Sequence, residues 1–166
     1  NEIAQTEALT GKPFANFWVH NGLIKVNGQK MSKSLGNSLF LKDLLDKYSN
    51  ETVKFALLST NYRADINVTD NLFPDAEKHL LDFYGLIVLA REKGIEIAGE
   101  NPVIDKEFDS AMDNDFNTAL AISNLFVYFK KIKSKINAGD KTAGADINQI
   151  IKIKKTIKDI FFAFSL

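Results

Sequence analysis

The sequence predicts a mostly α-helical protein, with a short β hairpin and a lysine-rich loop near its start and an antiparallel helical bundle after them. Asn21-Gly22 separates two short runs of strand-forming residues, 14–20 and 23–26, as the turn of a hairpin would. Further along, apolar residues recur at steps of three and four, as on the buried face of amphipathic helices. A length of 166 residues with 45% hydrophobic content suffices for a buried core.

Residues 1–64 are predicted to combine the hairpin and the loop with short helices. Residues 2–9 suit a first helix, and residues 41–48 and 51–59 suit two more. Ser49 lies where the N-cap of the last of these helices would be.

Residues 65–166 are predicted to form the helical bundle. Three segments there each carry one apolar stripe on an otherwise polar surface, which is the pattern of helices packed side by side. Thr69 could cap the first of them, and a shorter helix is expected around residues 105–112. The stripe positions are Phe73, Ala76, Leu80, Phe83, Ile87 and Ala90, then Ile122, Leu125, Phe129, Ile132 and Ile136, then Ile150, Ile153, Ile157, Ile160 and Phe164.

Composition excludes several classes of protein. Because there is no cysteine, these residues hold neither a disulfide nor a thiolate metal site. No apolar run approaches the roughly 20 residues that span a bilayer, so we expect a cytoplasmic protein without a membrane partner. The first residues include neither a starting Met nor the basic segment of a secretion signal, and we expect the chain to continue upstream.

Charge is distributed unevenly along the chain. Counting Lys and Arg against Asp and Glu, residues 1–64 carry +3, residues 65–115 carry −9 and residues 116–166 carry +6. A basic terminal segment is compatible with attraction to nucleic acid. The lysines could equally serve only to keep two amphipathic helices soluble, and composition alone favours that explanation.

The stretch with the clearest chemistry is Lys30-Met31-Ser32-Lys33-Ser34, followed by Leu35-Gly36-Asn37. An ammonium on a flexible stem suits a polyphosphate oxygen, and serine hydroxyls and free backbone N–H groups add donors. Such loops assist nucleotidyl transfer by cancelling the charge that builds on the leaving phosphates. Short Lys/Ser runs also occur as solvated loops, so the pattern alone leaves both interpretations open.

Other candidate residues give weaker signals. Asp113, Asp115 and Asn117 imitate the start of a calcium loop, but its required Gly and Glu are missing, so we expect helix capping there. His20 ends a predicted strand and could face a site, whereas His79 falls on the polar side of its helix and is expected at the surface.

Several motifs together resemble one family closely. They are Asn1-Glu2-Ile3-Ala4-Gln5, Gly11-Lys12-Pro13-Phe14, Phe17-Trp18-Val19-His20-Asn21-Gly22, the lysine loop, Tyr62-Arg63 and residues 113–119. The family is the bacterial cysteinyl-tRNA synthetases, class I enzymes with a Rossmann-type catalytic domain. The resemblance implies that residues 1–64 are the end of that catalytic domain and that residues 65–166 are the connecting and tRNA-binding helices, in part.

The resemblance implies a ligase that activates cysteine with ATP and then esterifies the 3′-terminal adenosine of its tRNA. The family's ATP-contacting lysine maps onto Lys33, and Lys30 would support the same phosphates. The implied ATP-binding residues are Lys30, Met31, Ser32, Lys33, Ser34 and His20, of which Lys30 and Lys33 are also the expected catalytic residues. ATP is thus an expected substrate, and cysteine and its tRNA are expected partners.

The family also carries a zinc that binds the substrate thiolate, and its glutamate ligand maps onto Glu2. The family's cysteines, histidine ligand and His-Ile-Gly-His-type motif are missing from these residues. We therefore expect zinc in the full-length enzyme but not here, and a segment that is inactive by itself. Phe40 and Asn61 also replace a threonine and a histidine common in the family.

Two basic helix faces are candidate tRNA contacts, mostly to phosphate, or else plain solvated surfaces. The candidate lysines are Lys130, Lys131, Lys133, Lys135, Lys152 and Lys155, with Lys154 and Lys158 beside them. Two other functions stay open: a cysteine ligase that joins the amino acid to a sugar amine, and a stand-alone RNA-binding module. We expect a monomer.

Overall fold

The computed structural model describes the backbone of residues 1–163 and the side chains of residues 1–157. The elements of its first part are α1 (Glu2–Thr10), β1 (Ile24–Val26), β2 (Gln29–Lys30), a 3₁₀ turn (Lys33–Leu35), α2 (Leu41–Leu45), α3 (Asn50–Leu58) and β3 (Ile66–Val68). Longer helices follow, namely α4 (Leu72–Glu92), α5 (Pro102–Asp113), α6 (Thr118–Asn137) and α7 (Ala143–Ala163). The predicted fold class, mostly helical with a small β element and a helical bundle, is confirmed.

The strands form one small sheet in the order β2-β1-β3. Strands β1 and β2 are antiparallel and are joined at Asn27-Gly28, where both residues have positive φ, 50° and 81°. That conformation suits the right-handed twist of a two-residue hairpin. Strand β1 runs parallel to β3, with Ile24 opposite Ile66, and the connection between them contains α2 and α3.

The hairpin predicted at Asn21-Gly22 is wrong. Residues 14–20 form no strand, and Asn21-Gly22 lies instead against the segment that leads into β3. The Gly22 N–H donates to the Tyr62 carbonyl at 2.7 Å, and the Leu23 N–H donates to Asp65 Oδ1 at 2.8 Å. The backbone groups that a hairpin would pair locally are therefore paired with residues at least forty positions away. The hairpin forms instead at Asn27-Gly28, six residues further along the chain.

A first apolar core joins α3, β3 and the start of α4. Its buried members are Val53, Ala56, Val68, Phe73 and Ala76, with Tyr48 stacked on Phe73 at a ring-centroid distance of 5.3 Å. Because α3 packs on α4, this core fixes the first part of the chain to the longest helices. The division of the chain at residue 64 stays a prediction.

The second, larger core lies among α4, α5, α6 and α7. Ile132 and Ile147 are fully buried at its centre, and Ile104 and Ile136 are nearly so. The predicted stripes supply much of it: Ile132, Ile136, Ile150 and Ile153 are buried members of this core. Ile122 of the same stripes is buried as well. The side chain of Ile160 and the whole of residue Phe164 lie outside the described part of the chain.

Two of the three predicted helix N-caps are present in the structure. The Ser49 hydroxyl accepts from the Thr52 N–H at 3.1 Å, and Asn117 accepts from the Leu120 N–H at 3.0 Å, so both predicted caps are confirmed. Thr69 does not cap α4, since the N-cap position falls on Asn71, whose side chain makes no capping hydrogen bond. None of the described helices combines the length and the apolar composition of a membrane-spanning segment.

Candidate functional site

The lysine-rich stretch forms a defined loop between β2 and α2. Strand β2 ends at Lys30, and Lys33 opens the 3₁₀ turn. Ser32 caps that turn, because its hydroxyl accepts the Leu35 N–H at 3.3 Å. The turn ends at Gly36, whose φ of 65° lies in the left-handed region that glycine adopts most readily. The loop therefore has one specific backbone path.

Asn37 bridges the two ends of this loop. Its Oδ1 accepts the Ser32 N–H at 2.9 Å, and its Nδ2 donates to the Lys30 carbonyl at 3.3 Å. Met31 adds a weaker contact, in which its sulfur accepts the Leu39 N–H at 3.3 Å. The hydroxyl oxygens of Ser32 and Ser34 are 3.2 Å apart.

The two lysines of the loop extend into solvent. Both Lys30 and Lys33 are exposed, and among the side chains that the structure describes neither forms an ion pair. Two ammonium groups close in sequence, without carboxylates to neutralise them, create a local positive potential suited to an anion.

His20 and Glu2 lie apart from the hydrogen bonds of the loop. The His20 ring is stacked on the exposed Trp18, with centroids 6.2 Å apart and planes 10° from parallel. Glu2 is at the first position of α1, and 78% of its side chain is exposed. Within the described residues no three His, Cys, Asp or Glu side chains come together as metal ligands, so Glu2 alone does not fit a zinc site.

The structure divides the candidate RNA-binding lysines into two groups. Lys135 pairs with Asp146 at 2.6 Å and Lys152 pairs with Glu100 at 2.8 Å, while the Lys131 ammonium lies 4.9 Å from the centroid of the Tyr128 ring. The other candidates are exposed and form no ion pair among the described side chains; they are Lys130, Lys133 and Lys155. Neighbouring positions on one helix thus differ in what they can offer a phosphate.

A contact that sequence reasoning missed joins the first part of the chain to the bundle. Arg63 donates through Nε to Asp115 Oδ2 at 2.5 Å and through Nη2 to Oδ1 at 3.0 Å, and the Tyr62 hydroxyl donates to Oδ1 at 2.8 Å. These donors lower the pKa of Asp115 from 3.8 to about 2. The positive φ of Asp115 and Phe116, 55° and 52°, turns the loop before α6 so that this carboxylate meets Arg63.

A second contact joins α3, α4 and α7. Lys154 Nζ is 2.5 Å from Glu51 Oε1, and the Tyr84 hydroxyl donates to Glu51 Oε2 at 2.7 Å and receives a hydrogen bond from Lys154. Desolvation would lower the pKa of Lys154, but its bonds to Glu51 and Tyr84 outweigh that effect and raise the pKa. Lys154 is therefore occupied within the fold.

Two family models match this chain. Residues 1–78 match the tRNA synthetases class I (C) catalytic domain, and residues 107–165 match the DALR domain. The loop, with its sheet and short helices, thus lies in the first match and helix α6 in the second. In both matched regions the chain is thus similar to class I tRNA synthetases.

Within that class, the similar curated proteins are cysteine–tRNA ligases. The one from Thermodesulfovibrio yellowstonii is 40% identical over 96% of this chain and 35% of its own length. The one from Geotalea daltonii is 39% identical over 89% of this chain and 33% of its own length. The chain therefore spans about a third of these relatives.

A solved structure of similar fold is a LeuRS of Agrobacterium radiobacter in a ternary complex with tRNA and LeuAMS. It matches 77% of this chain and 19% of its own chain with a TM-score of 0.64 and 23% sequence identity. At 23% sequence identity, this similarity is evidence of a shared fold only.

Proposed function

We propose that this chain is part of a cysteine–tRNA ligase, and that residues 30–37 form the loop that binds the phosphates of ATP. The main support is the geometry of the loop: two exposed lysines without acidic partners among the described side chains, on a backbone held by Ser32, Gly36 and Asn37. The names of the curated relatives, which are cysteine–tRNA ligases, support cysteine as the amino acid.

In the proposed reaction, a carboxylate oxygen of cysteine bonds to the α-phosphorus of ATP and the bond to the pyrophosphate breaks. Negative charge grows on the leaving pyrophosphate. An ammonium positioned there stabilises the transition state more than it stabilises bound ATP, which is the condition for a catalytic effect. We assign this role to Lys33, with Lys30 supporting the same phosphates.

The test is Lys33→Ala in the full-length protein that contains this chain. Pyrophosphate exchange should fall by about 10²–10³ because one transition-state donor is lost, while tRNA affinity stays nearly unchanged. Lys42→Ala is the matched control, since Lys42 is an exposed lysine on the neighbouring helix α2 and forms no ion pair among the described side chains. Normal exchange in Lys33→Ala would refute the catalytic role.

The proposal extends to tRNA, with contacts to phosphate from the exposed lysines of the bundle. Lys130, Lys133 and Lys155 suit this role better than Lys135 or Lys152, whose ammonium groups are engaged by carboxylates. A ligase for a sugar amine would not need a tRNA-binding bundle, so the match of residues 107–165 to the DALR domain favours the tRNA ligase.

The remaining assignments belong to the same proposal. Glu2 would supply one ligand to zinc in the full-length enzyme, the other donors coming from outside the described residues. His20 stays a candidate ATP contact, and a cytoplasmic monomer is the proposed state. Sedimentation of the full-length protein tests whether it is a monomer.

A further inference from the structure

The side chain of Asn37 connects two backbone groups of the lysine loop, one at Lys30 and one at Ser32. Its oxygen accepts the Ser32 N–H at 2.9 Å, and its amide nitrogen donates to the carbonyl of Lys30 at 3.3 Å. One side chain thus holds both the last residue of β2 and the residue that caps the 3₁₀ turn.

Only a side chain with one acceptor and one donor can make this pair of contacts. A backbone N–H must meet an oxygen and a backbone carbonyl must meet an N–H, and the carboxamide of asparagine presents both groups from one short stem. Asn37 is half-buried, so water competes with these bonds less than it would at a fully exposed site. The contacts themselves leave the ammonium groups of Lys30 and Lys33 free.

We propose that Asn37 is a positioning residue that keeps the loop in the conformation that binds ATP, with Lys33 directed toward the phosphates. This inference rests on the proposed function of the loop. Asn37 acts through the backbone of Lys30 and Ser32 and does not itself need to contact the nucleotide. Its effect is therefore on the fraction of molecules in which the loop is ready to bind.

That mechanism predicts a specific kinetic signature. When only a fraction of the molecules is competent, the apparent affinity falls in proportion to that fraction. Without Asn37 the two hydrogen bonds are lost, and the KM for ATP should rise about tenfold, as expected for two bonds of modest net strength. Saturating ATP orders the loop again, so kcat should stay within about twofold of the wild-type value.

The experiment measures pyrophosphate exchange against ATP concentration in the full-length protein, for wild type, Asn37→Ala, Lys33→Ala and Asn71→Ala. Asn71 is the control asparagine, exposed at the start of α4 without a capping hydrogen bond from its side chain. Amide hydrogen exchange at Ser32 is recorded on the same proteins, because its N–H loses its acceptor only in Asn37→Ala.

A raised KM for ATP with near-normal kcat, together with faster exchange at the Ser32 amide, would support the proposal. A lower kcat at unchanged KM would overturn it, since that pattern indicates a smaller fraction of folded enzyme. Unchanged kinetics in Asn37→Ala with an impaired Lys33→Ala would also overturn it but leave the proposed function intact. An unimpaired Lys33→Ala would overturn both.

Discussion

At Gly22 the backbone passes so close to residues 62–65 that a side chain has no room. A Cβ built there would lie 2.1 Å from the Ala64 carbonyl oxygen and 2.3 Å from the Ala64 carbonyl carbon. The Gly22 N–H also donates to the Tyr62 carbonyl. A single glycine therefore allows β1 to enter the sheet beside the segment that leads to β3.

We expect Gly22→Ala to lower the free energy of unfolding by about 1–3 kcal/mol, because the backbone must move apart to admit the methyl group. Gly85→Ala is the same chemical change in the middle of α4, where a Cβ meets nothing within 4 Å. That control should raise the free energy of unfolding by about 0.5–1 kcal/mol through helix propensity. Urea denaturation measures both, and equal effects would contradict the steric explanation.

At the scale of a single element, lysines near one another in the sequence of helix α6 have different surroundings. Lys135 pairs at 2.6 Å with Asp146, whose side chain is only 4% exposed. Asn101 donates to the other oxygen of Asp146 at 2.7 Å. Lys133 is exposed and forms no ion pair among the described side chains. The lysine that pairs with a buried carboxylate is therefore a different residue from the proposed tRNA contact, so the two effects can be tested separately.

Lys135→Ala should destabilise the protein by about 1–3 kcal/mol, because it leaves the buried carboxylate of Asp146 with one hydrogen-bond donor fewer. Lys133→Ala should change stability by less than about 0.5 kcal/mol. If Lys133 contacts tRNA phosphate, its removal should weaken tRNA binding and reduce the dependence of affinity on salt. Thermal denaturation and filter binding at several salt concentrations test the pair. Equal losses of stability in the two variants would contradict the expected contribution of the Lys135–Asp146 pair to the free energy of unfolding.

At the scale of the whole molecule, polar contacts supplement the apolar core that joins the first part of the chain to the bundle. Arg63 and Tyr62 reach Asp115 in the loop before α6, and Glu51 of α3 meets Tyr84 and Lys154. The Tyr62 carbonyl also accepts the Gly22 N–H, so one residue contacts both the loop before α6 and the segment that leads into β1. The position of the bundle is thus physically linked to the sheet that supports the lysine loop.

The Arg63–Asp115 contact should make stability depend on acid. The pKa of Asp115 falls from 3.8 to about 2 in the folded protein. Because the folded value is the lower one, the stabilisation is complete above pH 3.8 and is lost as the pH falls through about 2. We expect Asp115→Asn to be less stable than wild type at neutral pH and to lose less stability across that interval. Denaturation curves recorded at successive pH values test this, and parallel curves for the two proteins would contradict it.

Much of the helical architecture could be predicted because its signals are local. The stripes of α4, α6 and α7 and the caps at Ser49 and Asn117 each depend on residues a few positions apart. The lysine loop could also be recognised from its sequence, since the required donors are adjacent. The hairpin was misplaced because Asn21-Gly22 and Asn27-Gly28 carry the same turn signal. The choice between them depends on distant partners at residues 62–66.

The fold class, the lysine loop and the family resemblance can be inferred from the amino-acid sequence alone, because periodicity, turn residues and motifs are properties of short stretches. The folded structure is needed to see which of the described lysines are engaged by carboxylates, that Asn37 bridges the loop, and that Arg63 meets Asp115. Hydrogen bonds and ion pairs act only over short distances. Their partners are chosen by how the elements pack, and packing brings together residues that lie far apart in the chain.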